Sequence, residues 1–203
     1  MIYLNLPKLP TPDFQFPKEF DLTEITKSNV HRKFSPTCLD SPTVDFFAKL
    51  GLTVETVAVF SKEPNYNGAI HKDITWSDQT QTWEDWYCGV NFNLDGGQSI
   101  VSWYEVTTPA VFPPFPRNGP LKLDGAHYGG RHNKNFKGLE GYTLLATHNT
   151  GSTPVLVRTD VPHSVENATG TLRLGASIRF LNNPTFEQCA SLFSSISDTD
   201  NTP

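Results

Sequence analysis

Residues 161–180 read VPHSVENATGTLRLGASIRF. Residues 155–158 ahead of them, VLVR, form a β-branched run that delivers the chain to Pro162. Proline fixes φ and stiffens the approach to His163, which then opens the next strand. In TLRLGASIRF, Arg173, Gly175, Ser177 and Arg179 alternate with Leu174, Ala176, Ile178 and Phe180. Successive strand residues point to opposite faces. One face of this strand is therefore apolar, and the other carries two guanidinium groups, a hydroxyl and a glycine. Such a face is odd for a core and natural for a lined cavity.

Working outward, the chain keeps reading as β. Residues 52–60, 87–94, 98–106, 141–147 and 153–159 carry strand patterns. The turn signal Asp95-Gly96-Gly97 predicts that 87–106 forms a hairpin. Residues 41–52 carry a helix signal, with Ser41 as cap, Pro42 in the first turn and Gly51 at the end. A second amphipathic helix is expected over 184–196, and 195–203 reads as a frayed tail. Residues 1–20 look like an extended arm, and 107–140 like a long loop insertion suited to a lid or binding loop. About eight mostly antiparallel strands with a helix near each end fit a two-sheet jelly roll or barrel. The 203 residues suit one domain.

Composition narrows the function. Sixteen basic against twenty-one acidic residues leave a net charge of −5, which disfavours a general nucleic-acid binder. Cys38, Cys88 and Cys189 are odd in number and far apart, so free thiols in a reducing, cytoplasmic setting are expected. No apolar run reaches membrane-spanning length, and the N-terminus makes a poor signal peptide. The sequon at Asn167 therefore carries little weight.

Residues 67–74, NGAIHKDI, place His71 and Asp73 two apart after a turn signal. On a strand both would face one space. An imidazole and a carboxylate there are two-thirds of a facial triad for non-haem iron. His163 has the context for the third ligand, and His132, in the glycine-rich loop, is its rival. Oxygen chemistry at such an iron usually needs a co-substrate. The commonest is a 2-oxo acid whose distal carboxylate calls for a planar, bidentate arginine. Arg173 lies ten residues beyond His163, and Arg179 six beyond that. On residues 87–94 Asn91 sits among apolar neighbours, facing either the cavity or solvent. Trp76, Trp83, Trp86, Trp103, Tyr87 and Tyr104 read as core and strand-face aromatics rather than a substrate pocket.

His71-Lys72-Asp73, His163 92 residues after the first histidine, and Arg173 at plus ten together resemble the Fe(II)/2-oxoglutarate-dependent oxygenases. Residues 161–180 resemble the C-terminal block of small viral and bacterial members, and of the aspartyl/asparaginyl hydroxylase and prolyl hydroxylase groups. The resemblance covers roughly residues 65–181. It implies a double-stranded β-helix (a jelly roll, cupin-like), Fe(II) on His71, Asp73 and His163, and 2-oxoglutarate and O2 as co-substrates. It also implies a hydroxylase, with Arg173 the first candidate for the distal carboxylate, Arg179 the reserve, and Ser177 and Asn91 assisting. The substrate does not carry over, because this fold hosts many. A small molecule or a protein side chain is favoured over nucleic acid, with location in a bacterium or a virus-infected cell, and the oligomeric state is open. The competing readings are a cupin-like metal protein that uses no 2-oxoglutarate and a non-enzymatic β-sandwich module.

Overall fold

A computed structural model describes residues 1–16, 31–77, 82–94, 98–107 and 141–199. The fold is mainly β. Twelve strands are formed among the described residues: β1 (Tyr3–Asn5), β2 (His31–Phe34), β3 (Val54–Lys62), β4 (Tyr66–Asn67), β5 (Ile74–Ser77), β6 (Thr82–Asp85), β7 (Cys88–Asn93), β8 (Ser99–Val106), β9 (Tyr142–Thr150), β10 (Val155–Arg158), β11 (His163–Asn167) and β12 (Arg173–Phe180). Two α-helices, α1 (Ser41–Lys49) and α2 (Phe186–Thr199), accompany them. All described pairings are antiparallel. One sheet has the order β1-β10-β7-β12-β3-β2, the second β4-β11-β8-β9, and β5-β6 is a separate ribbon.

The alternation on β12 decides how the layers stack. Ala176, Ile178 and Phe180 are at most 1% exposed and join Val57, Val59, Val90 and Leu156 in the main core. Phe47 of α1 and Phe186, Cys189 and Phe193 of α2 complete that core, so both helices cover the outer face of the six-stranded sheet. Phe47 packs edge-on against Phe180, with ring centroids 5.2 Å apart. The other face of the sheet turns toward the four-stranded sheet. Val155 and Val157 of β10 there meet Val101 and Trp103 of β8 in a second, smaller cluster. Trp103 is fully buried and donates its indole N–H to the Arg158 carbonyl of the opposite sheet at 2.8 Å.

Several sequence expectations change in detail. There are twelve described strands, not eight. The expected hairpin over 87–106 is not one: β7 pairs with β10 and β12, whereas β8 pairs with β9 and β11 in the other sheet. A turn signal reverses the chain but does not say which sheet receives it. The cap of α1 is Asp40, whose carboxylate accepts from the Thr43 N–H, so Ser41 is already helical. Strand β3 runs Val54–Lys62 rather than 52–60. Residues 195–199, expected to fray, continue α2. The 107–140 insertion, with His127 and His132, lies outside the described residues except for residue 107, as do residues 17–20 of the arm and the 95–97 turn.

The three cysteines are unlinked and buried. The Asn167 amide is fully buried and reaches the carbonyls of Lys62, Glu63 and Thr171 at 2.8–3.2 Å. It pins the end of β11 to the end of β3 and to the turn before β12, which explains the asparagine without glycosylation. Among the described residues no helix is long and apolar enough to cross a membrane.

Candidate metal centre

His71, Asp73 and His163 converge, with one donor atom from each lying within 4.8 Å of the others. They do so differently from the sequence expectation. His71 and Asp73 are not on a regular strand; β5 begins at Ile74. Instead His71 makes an isolated bridge to His163, each N–H donating to the other's carbonyl at 2.8 Å. The Asp73 N–H then donates to the Thr159 carbonyl at 3.1 Å. The extended two-residue alternation survives although the ladder does not. Gly68 permits this docking: a Cβ there would lie 2.6 Å from the Val165 carbonyl oxygen.

Each imidazole is oriented by the backbone. Nδ1 of His71 lies 2.9 Å from the Ala69 carbonyl, and Nδ1 of His163 lies 2.9 Å from the Val161 carbonyl. A carbonyl only accepts, so Nδ1 holds the proton and Nε2 presents its lone pair, as a metal ligand must. Those Nε2 atoms lie 3.5 Å and 3.9 Å from Asp73 Oδ1. Donors about 2.1 Å from one ion and at right angles stand roughly 3 Å apart, so a small inward movement closes the set. Burial, with the charge of His71 second, pushes His163 down to about 4, which keeps it neutral and ready to ligate near pH 7.

The outer oxygen of Asp73 is already committed. Arg179 Nη2 donates to Oδ2 at 2.6 Å. The same guanidinium donates through Nη1 to the Thr159 hydroxyl at 3.0 Å and the Cys88 carbonyl at 3.1 Å. Burial by itself would raise the Asp73 carboxyl. Arg179, the His71 hydrogen bond and the two imidazoles outweigh it and hold the group well below the usual carboxylate range. The pairing leaves Oδ1 for a metal and favours one-oxygen ligation.

The interior continues away from this centre along β12. Gly89 sits where a Cβ would come within 2.8 Å of Ser177 Oγ and 2.9 Å of Arg179 Cζ, so the glycine makes room for both. Ser177 is paired with Asn91 across β12 and β7, which places Asn91 on the interior face. Asn91 Oδ1 and Ser177 Oγ are buried with no hydrogen-bond partner among the described residues. Farther along, Arg173 is 1% exposed, donates to Asn93 Oδ1 at 3.3 Å and lies with Cζ 4.9 Å over the Phe60 ring. Lys62 is its cross-strand partner. Burial, and then Arg173, lowers the Lys62 ammonium.

The sequence reading missed Lys33. It opposes Ala58 across β2 and β3, so it shares the interior face with Ser177. Its Nζ lies 4.6 Å from the Trp86 ring centroid, and burial followed by Arg179 pushes it down to about 7, against the opposing pull of Glu55 and Asp73. The one sequence signal was a lysine alternating with Arg32 and Phe34. Trp86, Trp103 and Tyr104 are buried, as expected of core aromatics. The side chains of Trp76 and Trp83 and the rival ligand His132 lie outside the described residues.

No family model matches the chain, and no curated protein matches it. Solved structures that align with it include one titled X-ray structure of E. coli ycfD, at 11% identity and a TM-score of 0.39. That alignment covers 99% of this chain and 60% of the other, so this chain spans about 60% of that protein's length. A likeness of that size assigns no family. What stands on the geometry is a mainly β, two-sheet protein with a His-Asp-His group able to hold a metal ion.

Proposed function

We propose that this protein is a non-haem Fe(II)- and 2-oxoglutarate-dependent dioxygenase that hydroxylates its substrate, built on a double-stranded β-helix. The observation that carries the reading is the arrangement along one interior. Two imidazoles and one carboxylate oxygen gather at one end, and a buried arginine on the same face of β12 lies at the other. Two imidazoles and one carboxylate leave three octahedral positions open, the donor set of Fe(II) oxygenases. When bound, Fe(II) with 2-oxoglutarate and O2 supplies the oxidation and yields succinate and CO2.

The chain's own residues do the rest. His71, Asp73 and His163 hold the metal, and Arg179 fixes the Asp73 carboxylate so that one oxygen faces it. Arg173 receives the distal carboxylate of 2-oxoglutarate. Asn167 ties His163's strand to Lys62, the partner of Arg173, so Arg173 sits about four residues, or roughly 13 Å, along the interior. A five-carbon dicarboxylate and an arginine side chain bridge that span. Asn91 Oδ1 and Ser177 Oγ, buried without partners, lie on the face between. Buried polar atoms call for partners, and a bound polar co-substrate or its water supplies them. Arg179, the reserve candidate for the carboxylate, is spent on Asp73. The substrate is a small molecule or a protein side chain in preference to nucleic acid, given the −5 charge.

The test is anaerobic titration with Fe(II) and then 2-oxoglutarate, following the weak visible metal-to-ligand charge-transfer band. The band is expected in the native protein and lost in His163→Ala. Fe(II) binding without a band would favour the cupin-like metal protein, and no Fe(II) binding would leave a non-enzymatic β-sandwich.

A further inference from the structure

The groups around Asp73 continue past Arg179 to a second feature that the metal and co-substrate do not use. Arg179 Cζ lies 5.2 Å from the Trp86 ring centroid, and Lys33 Nζ lies 4.6 Å from the same centroid. Trp86 is therefore shared by two cations, one bound to a metal ligand. Its backbone is tied to the centre as well: its N–H donates to the Asp73 carbonyl at 2.9 Å, and its own carbonyl accepts from the Thr159 hydroxyl at 2.6 Å. The indole is thus placed rigidly against the metal site. It is 4% exposed, and its Nε1–H is buried with no acceptor among the described residues.

A buried indole N–H ordinarily finds a partner. The only polar side-chain groups that Lys33 and Trp86 bring are donors: an ammonium and an indole N–H. Arg179 cannot turn toward a ligand without leaving Asp73, Thr159 and the Cys88 carbonyl. Lys33 is half-buried, which sets it apart from a solvated surface lysine. Arg179, Glu55 and Asp73 are among the charged groups near it, and Arg179 already answers Asp73. A set of donors beside a dication is matched by a group that only accepts.

We propose that Lys33 and Trp86 form an anion subsite on the flank of the metal centre, holding a carboxylate or phosphate of the substrate. The reading rests on the proposed metal centre and names the substrate class: an anionic molecule or acidic side chain, oxidised a few bonds from its charged group.

The experiment uses the full chain loaded with Mn(II) and 2-oxoglutarate, and follows proton relaxation of acetate and of methylphosphonate, with acetamide as the neutral control. Expected is faster relaxation of at least one anion and none for acetamide. Lys33→Met should weaken anion binding about tenfold, and Lys33→Arg should restore most of it. Whichever anion responds identifies carboxylate or phosphate. Three results would overturn the proposal: no anion responds, acetamide responds equally, or the response survives Lys33→Met, which means direct ligation of the metal. Loss of the Fe(II)–2-oxoglutarate band in a folded Lys33→Met protein would also overturn it, by placing Lys33 on the co-substrate. Absence of that band in the native protein, with anion relaxation on Mn(II) intact, would sink the dioxygenase reading and leave the subsite standing. Failure to bind Mn(II) would sink both.

Discussion

His163 makes the metal-free protein acid-sensitive by an amount that can be worked out. It is 5% exposed, and burial, then His71, holds it at about 4 against an ordinary value of 6.5. Between those values the unfolded chain binds a proton that the folded chain refuses. Stability therefore rises with pH across the window. The penalty is absent above pH 6.5, grows as pH falls, and is complete below about 4. A difference of about 2.5 units corresponds to about 3 kcal/mol, or about 1.4 kcal/mol per pH unit at most. For a chain of this size that is a fall of roughly 6–12 °C in Tm. Asp73 does not blur the window, because its carboxyl titrates well below the usual range. His148, also lowered by burial, adds a slope of the same sign to every variant and subtracts out. The assay is guanidinium unfolding in EDTA from pH 7 to 4.5, comparing native protein with His163→Gln. The variant should lose most of the slope whatever its baseline stability. Equal slopes in the two proteins would show that His163 accepts its proton freely, and would remove the argument that burial keeps it neutral for ligation.

Other perturbations probe neighbouring links. Asp73→Asn keeps the size but removes the charge facing the two imidazoles, so Mn(II) affinity by calorimetry should fall at least about 100-fold; unchanged affinity would break the triad. Arg179→Lys cannot reach Asp73, Thr159 and the Cys88 carbonyl at once. It should cost about 2–3 kcal/mol in chemical unfolding and weaken Mn(II) about tenfold, and a neutral result would reduce the pair to surface value. Gly175→Val drives a side chain into Phe60, already 2.6 Å from an ideal Cβ, and so disturbs the ring beneath Arg173; 2-oxoglutarate affinity should drop with Fe(II) affinity nearly kept. Phe47→Ala empties a fully buried site against Phe180 and Phe193. It should cost about 3–5 kcal/mol, and a loss under 1 kcal/mol would contradict the packing of α1 on the sheet.

The sequence was most legible where a two-residue period met burial. The alternation in residues 173–180 correctly separates the face under the helices from the face carrying Arg173, Gly175, Ser177 and Arg179. His163 after Pro162 does open a strand. Legibility failed where partners are distant in the chain. The 87–106 stretch has all the local marks of a hairpin, yet its halves are claimed by β10 and β12 on one side and by β9 and β11 on the other. Local turn chemistry holds no record of that competition. His71 and Asp73 keep strand alternation without a ladder, because their hydrogen bonds go to His163 and Thr159. Lys33 was invisible since its neighbour Trp86 is 53 residues away in sequence and its environment is set by packing alone.

The two arginines show why register, and not residue type, assigns their work. Both lie on one face of one strand, six residues apart, and nothing in the sequence orders them. Arg179 falls opposite Thr56, at the end where Asp73 docks onto Thr159, and its rigid fork is used up by three acceptors there. Arg173 falls opposite Lys62, over Phe60 and beside Asn93, away from the imidazoles. A slip of one residue on β12 would send both guanidinium groups into the aromatic core under α1 and α2. The apolar face of β12 therefore does more than stabilise the sheet. By fixing the register against Phe47 and Phe186, it holds one arginine to the Asp73 carboxylate and leaves the other at the far end of the same interior.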